Sequence, residues 1–364
     1  MKRISFFSAQ SLLKTGSVAV LAALSLTAWV PNVQALTAFE VVEQALQSRS
    51  SIGFEGEKEL EVSRLNSDPL KANAMIRYAN RQNYSLQLIA PMTIKDVHFH
   101  MSNGINSAYF PDEKLFLHEG GKDTSDMPES IILGQLTDNL NLLKQNYTAL
   151  DVQEEFANLN PVWVLDFIPK NGFLTPRRKY WVEKETFQVL REERYWGTDQ
   201  PPYSKAYYLT FKKQDKPVVI QPLQAPSGVN KVNLSGKEKN TFLSYSSVAE
   251  AEKKEKVKIN YPSYIPAGFQ LKYIQVFTLF GARIQLMGFT DGLNDLQITI
   301  RPQQNAFVTL LAGASSLSLI KKVSDLSYQA PNNYFSRNGT KNVAVAFGDL
   351  HPDELKKVAE SLPL

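Results

Sequence analysis

The feature that most constrains this chain is a repeated alternation of apolar and polar residues, interrupted by a stretch of helical period. Tyr84, Leu86 and Leu88 alternate with Ser85 and Gln87, and Trp163, Leu165 and Phe167 recur at every second position. A strand turns successive side chains to opposite faces, so each run reads as a strand with one face for a core. Further strands are expected over 97–101, 109–117, 178–183, 187–196 and 205–212, with Asn103-Gly104 and Lys184-Glu185-Thr186 as hairpin turns. The charged run 55–64 reads as an edge or solvated strand. From Pro128 to Tyr147 the period becomes helical, with Ile132, Leu136, Leu140, Leu143 and Tyr147 on one stripe. A shorter helix opens at Thr37-Ala38-Phe39-Glu40, a capping box, and carries Phe39, Val42 and Leu46. A mostly antiparallel sheet interrupted by a helix makes the fold α+β. The 15 Tyr and 20 Phe suit such a sheet.

The composition shifts from Gln214 to Lys258, where Pro217, Pro222, Pro226, Gly228 and Gly236 end in a mixed charge run. This reads as a partly ordered inter-domain linker, its charge run a solvated helix or tail. Residues 259–364 then form a second, smaller α+β domain. Its expected strands are 269–279, 283–289, 296–301 and 341–347, with Asp291-Gly292 as a turn. A terminal helix opens at His351-Pro352-Asp353-Glu354 and buries Leu355, Val358, Ala359 and Leu362. Residues 304–314 read as helix or loop.

The N-terminus has the form of an export signal. Lys2, Arg3 and Lys14 are followed by an apolar run from Ser17 to Val30, Pro31 and the triplet Val33-Gln34-Ala35. The run is shorter than the roughly 20 residues that span a bilayer. Residues 1–35 are therefore expected to be a secretory signal peptide, cut before Leu36. The chain has no Cys, which excludes disulfides, a thiolate nucleophile, a Cys zinc site and an acylated Cys anchor. Of the formal charge of +4, Lys2, Arg3 and Lys14 supply +3, leaving +1 for the remainder. A nearly neutral protein gives no electrostatic reason to expect nucleic acid as partner.

Candidate chemistry is sparse. His98 and His100 share a strand face, where two imidazoles could hold a metal, but no third ligand is near, so a solvent-facing pair is expected. His118 reads as a loop residue and His351 as a helix start. No nucleophile elbow, zinc-protease helix or phosphate-binding glycine loop occurs. Asp166 and Glu183, on neighbouring strands, are the best pair for acid–base work, and are better read as ordinary residues facing water. Neither a catalytic activity nor a cofactor is expected. Arg177, Arg178 and Lys179 form a basic cluster fitted to an anionic headgroup or an acidic partner segment, or simply to solvent. The apolar sheet face of Tyr84, Leu86, Leu88, Trp163, Leu165 and Phe167, covered by Leu136 and Leu140, reads either as a plain core or, if the sheet is strongly curved, as a slot for an acyl chain.

Pro176-Arg177-Arg178-Lys179-Tyr180-Trp181-Val182-Glu183-Lys184-Glu185-Thr186, followed by Val189-Leu190-Arg191-Glu192, resembles the LolA-like fold of lipoprotein carriers and of the RseB/MucB proteins. Ile265-Pro266-Ala267-Gly268-Phe269, Phe289-Thr290-Asp291-Gly292-Leu293 and Ala359-Glu360-Ser361 resemble the second domain of RseB/MucB, which single-domain carriers lack. The resemblance implies a first domain (36–213) that is an unclosed barrel, a curved antiparallel sheet with helices on its concave face. It implies a two-domain periplasmic regulator of the sigma-E type. Such a protein senses lipid or lipoprotein acyl groups in the first domain and binds the periplasmic part of a membrane anti-sigma factor. The slot would then be lined by Tyr84, Leu86, Leu88, Trp163, Leu165, Phe167, Leu136 and Leu140, and Arg177, Arg178 and Lys179 would meet the protein partner. The alternative is a periplasmic carrier of lipoproteins or lipids. The linker and the stretch 304–330 depart from the family pattern.

Overall fold

The computed structural model describes residues 36–48, 52–64, 67–80, 82–91, 95–103, 105–112, 114–120, 136–137, 139–172, 174–214, 218–233, 244–279, 282–303 and 334–364. The expected signal peptide, the part of the expected helix before residue 136 and the stretch 304–330 lie outside these residues.

Helix α1 (Ala38–Ser48) opens as its capping box requires: Thr37 N donates to Glu40 Oε2 at 2.7 Å, and Glu40 N donates to Thr37 Oγ1 at 3.3 Å. Six strands follow: β1 (Phe54–Arg64), β2 (Ser67–Asn80), β3 (Asn83–Ala90), β4 (His98–Ser102), β5 (Ile105–Phe110) and β6 (Leu115–Gly120). After α2 (Leu140–Asn146) come β7 (Tyr147–Ala149), β8 (Gln153–Ala157), β9 (Asn160–Pro169), β10 (Arg177–Glu183), β11 (Val189–Tyr195) and β12 (Ser204–Lys213). With β13 (Asn230–Asn233) they form one sheet in the order β13-β6-β5-β4-β3-β2-β1-β12-β11-β10-β9-β7, with β8 also on β9. The order has two ends, so the sheet is not closed. Every pairing is antiparallel except β13 on β6.

Strand β1 is central, between β2 and β12, and not an edge. Its alternation is masked because one face carries Glu55, Glu57, Glu59 and Glu61. Neighbouring strands answer these acids: Arg77 on Glu55 at 2.9 Å, Asn73 on Glu57 at 3.0 Å, Tyr207 on Glu59 at 2.5 Å and Lys71 on Glu61 at 3.0 Å. Strand β2 lacks an obvious signal because its core face is Ala72, Ala74, Ile76 and Tyr78, half of it alanine. His118 lies within β6, not a loop. The helix expected from 128 is confined, among the described residues, to α2. Asn139 caps it, accepting from Leu142 N at 3.0 Å, so Leu136 precedes the helix and Tyr147 already belongs to β7.

The second sheet runs β14-β15-β16-β17-β19-β18, all antiparallel. Its members are β14 (Ser244–Tyr245), β15 (Gln270–Leu279), β16 (Ala282–Thr290), β17 (Asp295–Pro302), β18 (Tyr334–Asn338) and β19 (Asn342–Gly348). Helix α3 (Val248–Glu255) comes from the charge run and buries Ala251 in this domain's core. Helix α4 (Pro352–Glu360) packs on β18 and β19 with Leu355, Val358 and Ala359 fully buried. The expected linker is thus shared: β13 extends the first sheet, while β14 and α3 belong to the second domain.

Candidate functional site

The apolar residues expected to line a slot fall into four environments. Tyr84, Leu86 and Leu88 are 1–5% exposed and pack with Phe54, Ile76, Tyr78, Met101 and Tyr208 in the core of the first sheet. Leu165 and Phe167 are fully buried. The Phe167 ring lies 5.8 Å from Phe39 of α1 and 6.2 Å from Tyr180. Trp163 is half-buried, 5.6 Å from the Phe187 ring with Lys184 over its face. Leu136 is buried and Leu140 half-buried at the start of α2.

The basic cluster is also divided. Arg177 makes a two-pronged bond to Asp166, Nε to Oδ1 at 2.8 Å and Nη2 to Oδ2 at 2.5 Å, and lies over the Tyr195 ring. Lys179 and Arg191 both stand over the Trp181 ring, at 5.0 and 4.4 Å. Arg178 corrects the expectation of a basic surface. It is 4% exposed, and its guanidinium donates to Asn294 Oδ1 at 2.7 Å, Glu192 Oε1 at 2.6 Å and Asp349 Oδ2 at 2.7 Å. Cross-strand pairing sets Arg178 beside Arg194 of β11, which donates to the same two carboxylates at 2.9 and 2.8 Å. Two of these partners, Asn294 and Asp349, come from the second domain, so the network is the junction between domains.

A second bundle of bonds completes it. The Tyr147 hydroxyl donates to Asp291 Oδ2 at 2.5 Å and accepts from Asn294 Nδ2 at 2.6 Å. Asn146 Nδ2 donates to the Gly268 and Asp291 carbonyls at 2.9 and 2.8 Å. Two glycines let α2 approach. Gly292 has φ 103° and a side chain there would meet Leu143 N at 2.6 Å; Gly268 has φ 92° and a side chain would meet Asn146 Oδ1 at 2.8 Å. Tyr203 stacks on Trp196 with centroids 5.1 Å apart, and Trp196 lies edge-on to His351 at 6.3 Å.

Burial works against the ionised form of Glu192, but Arg194 and Arg178 outweigh it and hold the carboxyl at about 2. Lys58, on the same sheet face, is pulled down to about 8 by burial, opposed by Glu192. Burial raises Asp291 despite its bonds from Tyr147 and Asn294, and burial with the Asp291 charge raises Tyr147. The junction is a saturated structural network rather than an open reaction centre.

The remaining candidates are structural in the same sense. Asp166 and Glu183 do not face water: they are 7% and 0% exposed. Glu183 Oε2 accepts from Thr186 N and Oγ1, both at 2.6 Å, which fixes the hairpin turn. His100 is likewise 7% exposed, not a solvent-facing residue; burial lowers both it and His98. Among the described residues no group of three or more His, Asp or Glu could hold a metal ion. His351 caps α4, accepting from Asp353 N at 3.4 Å. The sequence reading missed Tyr147, Glu192, Arg194, Asn294 and Asp349. The one usable signal was the pair of glycine loops at 268 and 292, which receive α2.

No family model matches the chain, and no curated protein matches it. Solved structures do. A crystal structure of MucB aligns with a TM-score of 0.54 at 12% identity, covering 89% of this chain and 97% of that one. The Pseudomonas aeruginosa MucA/MucB complex gives 0.54 at 11%, covering 89% and 98%. MucB in complex with MucA(peri) gives 0.52 at 11% with the same coverage. The chain therefore has the RseB/MucB fold, an α+β arrangement of a large unclosed sheet and a smaller second domain.

Proposed function

We propose that this chain is an exported regulator that binds the periplasmic part of a membrane anti-sigma factor, with residues 1–35 as its signal peptide. The observation that carries the reading is the extent of the likeness. It covers 89% of this chain and 97–98% of MucB, so it takes in the second domain and not the sheet domain alone. Two of the matched structures hold MucB together with MucA. The buried junction adds support, because a partner that spans two domains needs them in one fixed orientation. Among the described residues, no helix is long and apolar enough to cross a membrane.

Acyl sensing is the finer part of the proposal. Phe167 lies against Phe39 of α1, which is only half-buried, so an acyl chain would enter by displacing that helix. Ligand and partner then compete if each favours a different α1 position, which is a population shift. The test is a binding titration of the purified protein against the periplasmic domain of a single-span anti-sigma factor from the same envelope, with and without a lysophospholipid. Saturable binding weakened by the lipid supports the reading. Co-purified lipid with no anti-sigma binding would establish the carrier instead.

A further inference from the structure

The β8–β9 hairpin keeps large apolar side chains in water. Phe156 is 78% exposed and Leu159 is 96% exposed. Ala157 pairs with Asn160, so the turn has two residues, and both are left-handed: Asn158 at φ 50° and Leu159 at φ 64°. Gly is the favoured residue at such a position, because an L side chain is strained there. Here the position holds a leucine that touches almost nothing. Asn158 Nδ2 fastens the tip to the Tyr208 carbonyl at 2.6 Å, and the next residue, Leu209, is 43% exposed.

Strand β8 itself pairs only with β9 among the described strands. Among the described residues its outer row of backbone groups is therefore open to another strand, and Gln153, Glu154, Glu155 and Phe156 are exposed. Charge decides what fits. Asp151, Glu154 and Glu155 flank this edge; Lys184 answers Glu154 at 2.6 Å with that acid still 69% exposed, and Glu155 accepts from the neutral Trp181 Nε1 at 2.8 Å. A second copy of this chain paired edge to edge would set these acids against one another, which is unfavourable. An anionic lipid surface meets the same repulsion. An extended segment with alternating basic and apolar residues satisfies the open backbone, the acids and the apolar tip together.

We infer that the free edge of β8, with Phe156 and Leu159 at its tip, is the docking edge for an extended, basic segment of a partner protein. This rests on the preceding reading only in requiring a protein partner; acyl binding plays no part.

The test titrates purified protein with three fluorescein-labelled nonapeptides: alternating Lys and Val, the same with Glu for Lys, and the Lys peptide with alternate backbone nitrogens methylated. The Lys peptide binds saturably, and the other two bind at least tenfold more weakly. The double variant Phe156→Ser/Leu159→Gly weakens the Lys peptide at least tenfold. Leu159→Gly alone does not lower the melting temperature, since Gly takes that φ freely, so lost binding is not lost folding. Equal affinity of the double variant, or no saturable binding of the Lys peptide, overturns the inference. So does binding to phosphatidylglycerol vesicles, lost in the variant, in place of peptide binding. Undiminished binding of the anti-sigma domain to the double variant overturns this edge and leaves the regulator reading standing. No binding of that domain to the native protein overturns the regulator reading alone, and the peptide titration then decides the edge.

Discussion

The core of the second domain and the junction that joins it to the first are equally hidden from water but made of opposite materials. In the core, Ile274, Met287, Phe289, Leu296, Ile298, Leu355 and Val358 are fully buried. At the junction Arg178, Arg194, Glu192, Asp349, Asp291 and Asn294 are 0–8% exposed. Apolar burial gains from area at almost any angle. A guanidinium fork gains only where its acceptors stand in line with its donors. Buried ion pairs add little net stability over apolar packing. The contrast teaches that the core supplies the folding energy while the junction selects one orientation out of many.

The sharpest way to break that contrast is Asp349→Ala. It strips the carboxylate shared by Arg178 and Arg194 and leaves buried cations short of an acceptor, a loss of about 3–5 kcal/mol. The domains are expected to separate while both sheets persist, read as a larger radius of gyration in X-ray scattering and two unfolding steps in urea. A single step at the native midpoint would refute the role. Ile298→Ala, in the core, is expected to cost about 2–4 kcal/mol by leaving a cavity, with the radius of gyration of the folded protein unchanged.

Acid sharpens the comparison further. The Glu192 carboxyl is held at about 2 against an ordinary 4.5, a folded-state value below the unfolded one. Its stabilising contribution is complete above about 4.5 and is lost as pH falls from there towards 2, up to about 3 kcal/mol in all. Glu192→Gln should flatten the acid limb of a stability–pH curve measured by urea unfolding; an unaltered limb counts against the network. The smallest effect expected is Gly268→Ala. It places a methyl against the flexible end of Asn146 at a left-handed φ, for about 1–2 kcal/mol in melting experiments.

The apolar half of this molecule was legible in its sequence and the polar half was not. Alternation located β3, β9, β10, β12 and β15 to β17, because burying one face of a strand leaves a period of two. It passed over β2, whose core face is largely alanine, and demoted β1, whose acids are answered only by residues far along the chain. The junction left no period at all. Arg178 looks the same in sequence whether it meets water or two carboxylates 14 and 171 residues away. Six of the eight apolar candidates are buried while Trp163 and Leu140 are half-buried, and their division among four environments depends on where α1 and the strand ends fall, which no local pattern encodes.

The placement of β13 has a kinetic consequence. Because Asn230–Asn233 is hydrogen-bonded to β6, the two sheets are joined by no more chain than runs from Asn233 to Ser244. Even fully stretched, a chain of that length reaches at most about 40 Å. A second domain that slips its ionic fastening therefore stays at an effective concentration on the order of millimolar beside the first. Parting would be brief and self-correcting, unless something else takes the vacated seat first.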